Sequence, residues 1–175
     1  MKNSLSNLSL AAVLILAAAL IPGAMLIAAA GAHDAQILEI KATEARWNHE
    51  FESRDLEKML AHYIDDATVI APGMPPFHGK EAIRSMLKEM AADQAMSLKF
   101  QTLRVHIAKS GDVGWTEGSY TMTMTDPQTR KPVESSGSYV TVYKKEHGEW
   151  KAVSDIASAG PSSVEEPSKE KSHER

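Results

Sequence analysis

Residues 55–79 read DLEKMLAHYIDDATVIAPGMPPFHG, and the reading of this stretch decides the fold. Asp55 is an N-cap residue, because its carboxylate can accept from the free N–H groups of a first helical turn. Leu56, Met59, Leu60 and Tyr63 follow at i, i+3, i+4 and i+7, which predicts one apolar helical face ended by Asp65-Asp66. Ala67 to Ala71 is rich in β-branched residues and reads as a strand. Pro72-Gly73 and Pro75-Pro76 then rule out regular structure, so a loop delivers the chain to a helix beginning after Gly79.

Working outward, His33 to Ser53 predicts a first helix with Ile37, Ile40, Trp47 and Phe51 on one stripe. Glu44 shares that stripe. An acid there either sits at the stripe's edge and reaches solvent, or faces the core and needs partners. After Gly79, Ile83, Met86, Leu87 and Met90 make the apolar face of a third helix, where the methionines read as packing. From Ser97 the period changes to two. Strands are expected over Ser97–Ala108, with a bulge near Gln101-Thr102, and over Val113–Thr125, Val133–Lys145 and Trp150–Ile156. Tyr120, Met122 and Met124 share one face of the second of these, and Tyr139 and Tyr143 one face of the third. Glu146-His147-Gly148-Glu149 reads as a hairpin turn. The pattern predicts an α+β domain in which a curved antiparallel sheet wraps three N-terminal helices.

The chain has 175 residues, enough for one domain with extensions. A net charge of −4 without a basic cluster points away from nucleic acid as a partner. The absence of Cys excludes disulfides, thiol nucleophiles and thiolate metal sites. His33, His49, His62, His78, His106 and His147 are scattered, with no i, i+4 pair, and no metal or cofactor is expected. No Gly-x-Ser-x-Gly elbow occurs. Lys2 and the apolar run from Leu8 to Ala30, ending in small residues, predict a secretory signal over residues 1–32, cleaved after Ala30 or Ala32. Uncleaved, the run could span a bilayer, which would be the chain's one membrane contact. The domain, residues 33–159, is therefore expected to be exported, periplasmic or secreted. Residues 160–175 are polar and predict a disordered tail.

Asp55-Leu56, Tyr63-Ile64-Asp65-Asp66-Ala67-Thr68-Val69, Pro72 and His78-Gly79-Lys80-Glu81-Ala82-Ile83-Arg84 resemble the opening of the ketosteroid-isomerase-like, SnoaL-like families of the nuclear-transport-factor-2-like superfamily. The resemblance extends to about residue 158. It implies a cone whose open end is a ligand pocket, and a homodimer formed through the open sheet face. It does not imply a reaction. Ketosteroid isomerases use a carboxylate base with a Tyr and a protonated Asp as oxyanion hole, as the general description of that family has it. Counted without gaps, the base position is Ala71, the first-helix Tyr position is Trp47, and the strand near Tyr139-Val140 has no acid. An Ala takes no proton, so steroid isomerisation by that mechanism is not expected.

Other groups can serve the same pocket. Glu44 lies one turn before Trp47, Asp155 is on the last strand, and His78 is in the loop near the cone's mouth. These three are the acid–base candidates, since a carboxylate in an apolar pocket takes a raised pKa. Each has a plainer reading, with His78 on a surface loop and Asp155 tying down the last strand. Trp47, Tyr63, Phe77, Tyr120 and Tyr139 are the candidate ligand-binding aromatics. Three functions follow as expectations: an exported module binding a small apolar or aromatic molecule; an isomerase- or lyase-type enzyme using Glu44 with Asp155 or His78; or a homo-oligomeric assembly module.

Overall fold

A computed structural model describes residues 21–160, with side chains from residue 31 onward. The expected tail beyond Gly160 and residues 1–20 of the expected signal lie outside the described residues. Three helices, α1 (Ile21–Ser53), α2 (Leu56–Ala61) and α3 (Lys80–Ala92), pack against six strands. The strands are β1 (Tyr63–Ile70), β2 (Phe77–His78), β3 (Ser97–Ile107), β4 (Val113–Thr125), β5 (Pro132–Glu146) and β6 (Glu149–Ala159). They form one sheet in the order β2-β1-β6-β5-β4-β3.

The expected sheet was antiparallel, with one strand, over Ala67–Ala71, ahead of the third helix. In the structure that strand is β1, which begins earlier, at Tyr63; β2 follows it before α3, and β1 pairs parallel with β6. The first and last strands of the chain lie side by side, a pairing that no local periodicity carries. α1 also extends N-terminal of His33, where it was expected to begin, and includes residues 21–32. Among the described residues no helix is long and apolar enough to cross a membrane.

The deciding stretch behaves as read at its start and differs in its middle. Asp55 caps α2, accepting from the Lys58 N–H at 3.2 Å. The helix ends at Ala61, four residues before the Asp65-Asp66 pair that was expected to end it. The Ala152 N–H donates to the His62 carbonyl at 2.7 Å, and Tyr63 pairs with Ala152. The sheet thus claims Tyr63 from the helix, and Asp65-Asp66 sit exposed inside β1, where the register with β6 shifts. Across that shift five residues of β1 run against two of β6, so the two acids lie in an unpaired stretch of the strand.

α1 is tied to the sheet by side chains. Asn48 reads both backbone groups of Phe100, donating to its carbonyl at 2.6 Å and accepting its N–H at 3.0 Å. Glu39 accepts from Lys145 and from the Trp150 indole. The bulge expected in β3 is present, with Leu103 as the extra residue between Thr102 and Arg104. Because of it Leu103 points out, 64% exposed, although the alternation around it is apolar. The β5–β6 turn is His147-Gly148, both at positive φ, the two-residue hairpin that matches strand twist. Ile40, Phe51, Leu60, Ile83, Leu87 and Tyr143 form the heart of the core.

Candidate functional site

Glu44 is 2% exposed, so the edge-of-stripe reading does not hold. α1 lies across the concave face of the sheet, and Glu44 meets a ring of hydroxyls from three strands. Oε1 accepts from Tyr143 at 2.5 Å and Thr116 at 2.8 Å. Oε2 accepts from Tyr139 at 2.8 Å and Thr102 at 3.3 Å. A carboxylate offers about four acceptor positions, so every one is filled. Burial, followed by the Glu44 charge, holds the Tyr139 and Tyr143 hydroxyls well above the usual phenol range, which keeps both as donors.

Asp155 is placed differently. β6 carries it between Val69 of β1 and Thr141 of β5. Oδ1 accepts from Thr141 at 3.0 Å and Oδ2 from Tyr63 at 3.0 Å, one bond to each oxygen. Burial raises its pKa to about 6, against the lowering effect of those two bonds, and the Glu44 charge adds to the rise. Among the described residues Asp155 thus accepts one bond on each oxygen, where Glu44 accepts two.

Both acids line a cavity of about 160 Å³. Its walls are otherwise apolar. α3 supplies Met86, Leu87 and Met90; β3 and β4 supply Leu98, Phe100, Met122 and Met124; β1 and the loop after it supply Val69, Ile70, Ala71, Pro72 and Met74. The α3 methionines therefore do more than fill the core. Trp47, Tyr63, Tyr120 and Tyr139 also line it. Trp47 forms part of the wall, stacked on His62 at 4.7 Å with Tyr63 edge-on at 5.0 Å. Behind it His62 bonds Glu50 at 2.5 Å, both buried. Burial lowers the His62 pKa despite that carboxylate. The Trp47 indole N–H is buried without a partner.

Two sequence candidates stand apart from the cavity. His78 is exposed on the edge strand β2, with its Nδ1 3.1 Å from the Thr68 hydroxyl. Phe77 packs half-buried against the core and is not among the lining residues. Both sit on a two-residue edge strand that the Pro-rich loop concealed, Phe77 opposite Val69 on the core side and His78 opposite Thr68 on the other face.

Four residues of the site escaped the sequence reading: Thr102, Thr116, Thr141 and, as a bonding partner, Tyr143. Strand parity carried the signal. Thr116 shares its face with Tyr120, and Thr141 with Tyr139 and Tyr143. A second feature is a reciprocal pair across β4 and β5, Gly118 opposite Tyr139 and Tyr120 opposite Gly137. A Cβ on Gly118 would overlap the Tyr139 ring, and one on Gly137 would lie 2.8 Å from Tyr120 Cε1. The glycines let each ring lie across the opposite strand, which brings Tyr139 to Glu44.

Residues 40–161 match the SnoaL-like domain. The chain belongs to that family. None of the curated proteins matches it. Among solved structures, this SnoaL-like domain is similar to a ketosteroid isomerase-like protein from Erwinia carotovora atroseptica, at 18% identity and a TM-score of 0.62, covering 72% of this chain and 98% of that one. It is similar to an NTF2-like protein of unknown function from Pseudomonas putida, at 20% identity and a TM-score of 0.59, covering 73% and 88%. A third is an NTF2-like protein with a cystatin-like fold from Novosphingobium aromaticivorans, at 16% identity and a TM-score of 0.58, covering 72% and 82%. Likeness at these identities establishes the nuclear-transport-factor-2-like fold of the SnoaL-like domain, and leaves its chemistry to the site.

Proposed function

We propose that this SnoaL-like domain takes a small apolar or aromatic molecule into the cavity, and that Asp155 is the group the molecule meets. The observation that carries this reading is the contrast in the cavity: apolar walls with one carboxylate, Asp155, whose acceptor positions are half unfilled. Such a pocket, mostly apolar with a few convergent polar groups, is the usual form of a small-molecule site. Native mass spectrometry of the chain purified from its own cells tests it. The expected spectrum contains a retained small molecule. A bare protein that also binds nothing from a screen of apolar and aromatic compounds removes the reading.

A second reading, isomerase- or lyase-type acid–base catalysis, is favoured by the same residue. A carboxyl with a pKa of about 6 exchanges protons close to neutral pH. Of Glu44, Asp155 and His78, the geometry supports Asp155 as proton carrier, since Glu44 is saturated and His78 is outside the cavity. Ala71, which stands at the family's base position, offers no proton acceptor and supports a mechanism other than steroid isomerisation.

The raised pKa has a consequence for stability whose sign is unusual for an acid. The folded Asp155 holds its proton up to about pH 6, whereas an ordinary Asp releases it near 3.8. Between these values the folded chain binds more protons than the unfolded chain, so stability falls as pH rises. The charged form therefore costs up to about 3 kcal/mol above pH 6, and nothing below about pH 4. Asp155→Asn is expected to be more stable than the parent by about 1–3 kcal/mol near pH 8, the advantage fading toward pH 4. Urea unfolding across that range reads it directly. A difference that does not vary with pH would mean that Asp155 is not a desolvated charge.

A further inference from the structure

The cavity's charge is one-sided. Glu44 and Asp155 both line it, and no Lys, Arg or His does. Among the described residues neither acid has a cation within ion-pairing distance. Buried carboxylates ordinarily need a paired charge or a full set of hydrogen bonds. Glu44 meets the second condition with four hydroxyls. Asp155, partly buried, meets neither from groups among the described residues: its partners are two hydroxyls, one to each oxygen.

We propose that the ligand is an organic ammonium ion, its apolar body held by the cavity walls and its charged nitrogen hydrogen-bonded to Asp155. This rests on the pocket reading above and gives it a ligand class. An ammonium group carries a positive charge and several N–H donors, and so supplies both things that Asp155 lacks. Glu44, held in place behind its hydroxyls, adds a second negative charge that no ligand needs to touch. Among apolar walls the two charges together repel an anion and leave a neutral molecule without the electrostatic gain. The size of the cavity, about 160 Å³, suits a body of about one aromatic ring, since an apolar cavity of ~150 Å³ holds benzene.

The groups facing Asp155 decide the pH behaviour. They are the Glu44 carboxylate and the hydroxyls of Tyr63, Thr141, Tyr139 and Tyr143. The three phenols are held above the usual range and stay protonated, and Asp155 gains a proton as the solution is acidified through pH 6. Binding of a cation should weaken over that interval, and binding of a neutral molecule should not.

Benzylamine, benzyl alcohol and benzoate share one ring and differ in charge. Each is titrated into the full chain and into Asp155→Asn, with affinities read from chemical-shift changes near pH 8 and near pH 5. Benzylamine is expected to bind about tenfold more tightly than benzyl alcohol at the higher pH, which is about 1.4 kcal/mol, with benzoate weakest. Acidification should erase the benzylamine advantage, and Asp155→Asn should reduce it to about threefold or less. Benzyl alcohol or benzoate binding as tightly as benzylamine overturns the cation assignment and leaves the pocket reading standing. Failure of all three to bind removes the pocket reading and the assignment with it.

Discussion

Glu44→Ala is expected to lower the free energy of unfolding by about 3–5 kcal/mol, because it removes the common partner of four hydroxyls, three of them buried. Tyr143 and Thr116 would lose their acceptor altogether, whereas Tyr139 and Thr102 lie 3.3 Å apart and can bond each other. The loss therefore falls mainly on the β4 and β5 side of the ring. Glu44→Gln keeps the volume and one acceptor, and should cost less, about 1–2 kcal/mol, since the hydroxyls can turn to suit the amide. Urea titration of both variants measures the difference. A loss below about 1 kcal/mol in the alanine variant would show that the ring does not hold α1 against the sheet. The same variant has a second readout. Glu44 contributes to the raised pKa of Asp155, so its removal should move that pKa down toward the ordinary value, visible in a carboxyl NMR titration.

Trp47→Ala should cost about 3–5 kcal/mol and abolish binding of the small ligand. Trp47 is 3% exposed and packs against four rings, those of Phe51, His62, Tyr63 and Phe100. Truncation joins the ligand cavity to the space over the His62–Glu50 pair. The pair is then open to water, and the cavity loses part of its wall. The indole N–H has no partner to forfeit, so the loss is one of packing. Trp47→Phe, which keeps a ring in place, should recover more than half of the stability. Unchanged ligand affinity in the alanine variant would place the binding site elsewhere, whatever happens to stability.

Much of the fold was legible because it rests on local patterns. Asp55 announces a helix start through its capping chemistry. Ile83, Met86, Leu87 and Met90 announce α3 through their spacing. The two-residue alternation from Ser97 onward locates β3 to β6, including the slip at the bulge and the turn at His147-Gly148. Where the reading failed, a distant partner outweighed a local preference. Tyr63 fits a helical face in the sequence and becomes a strand residue because Ala152, on the last strand, supplies its pairing. The short strand with Phe77 and His78 exists only because β1 lies beside it.

The site divides along the same line. The sequence was enough to single out Glu44 as an acid on an apolar stripe, Asp155 as an acid on the last strand, and Trp47, Tyr120 and Tyr139 as aromatics on converging elements, since residue type and periodicity are local properties. Only the tertiary structure decided that Glu44 is saturated by Thr102, Thr116, Tyr139 and Tyr143 while Asp155 accepts one bond on each oxygen among the described residues, because Glu44's partners lie on strands β3, β4 and β5, far from it in the chain. Hydrogen-bond saturation and desolvation depend on which groups the fold brings together in space, and they separate two carboxylates that look alike in the sequence.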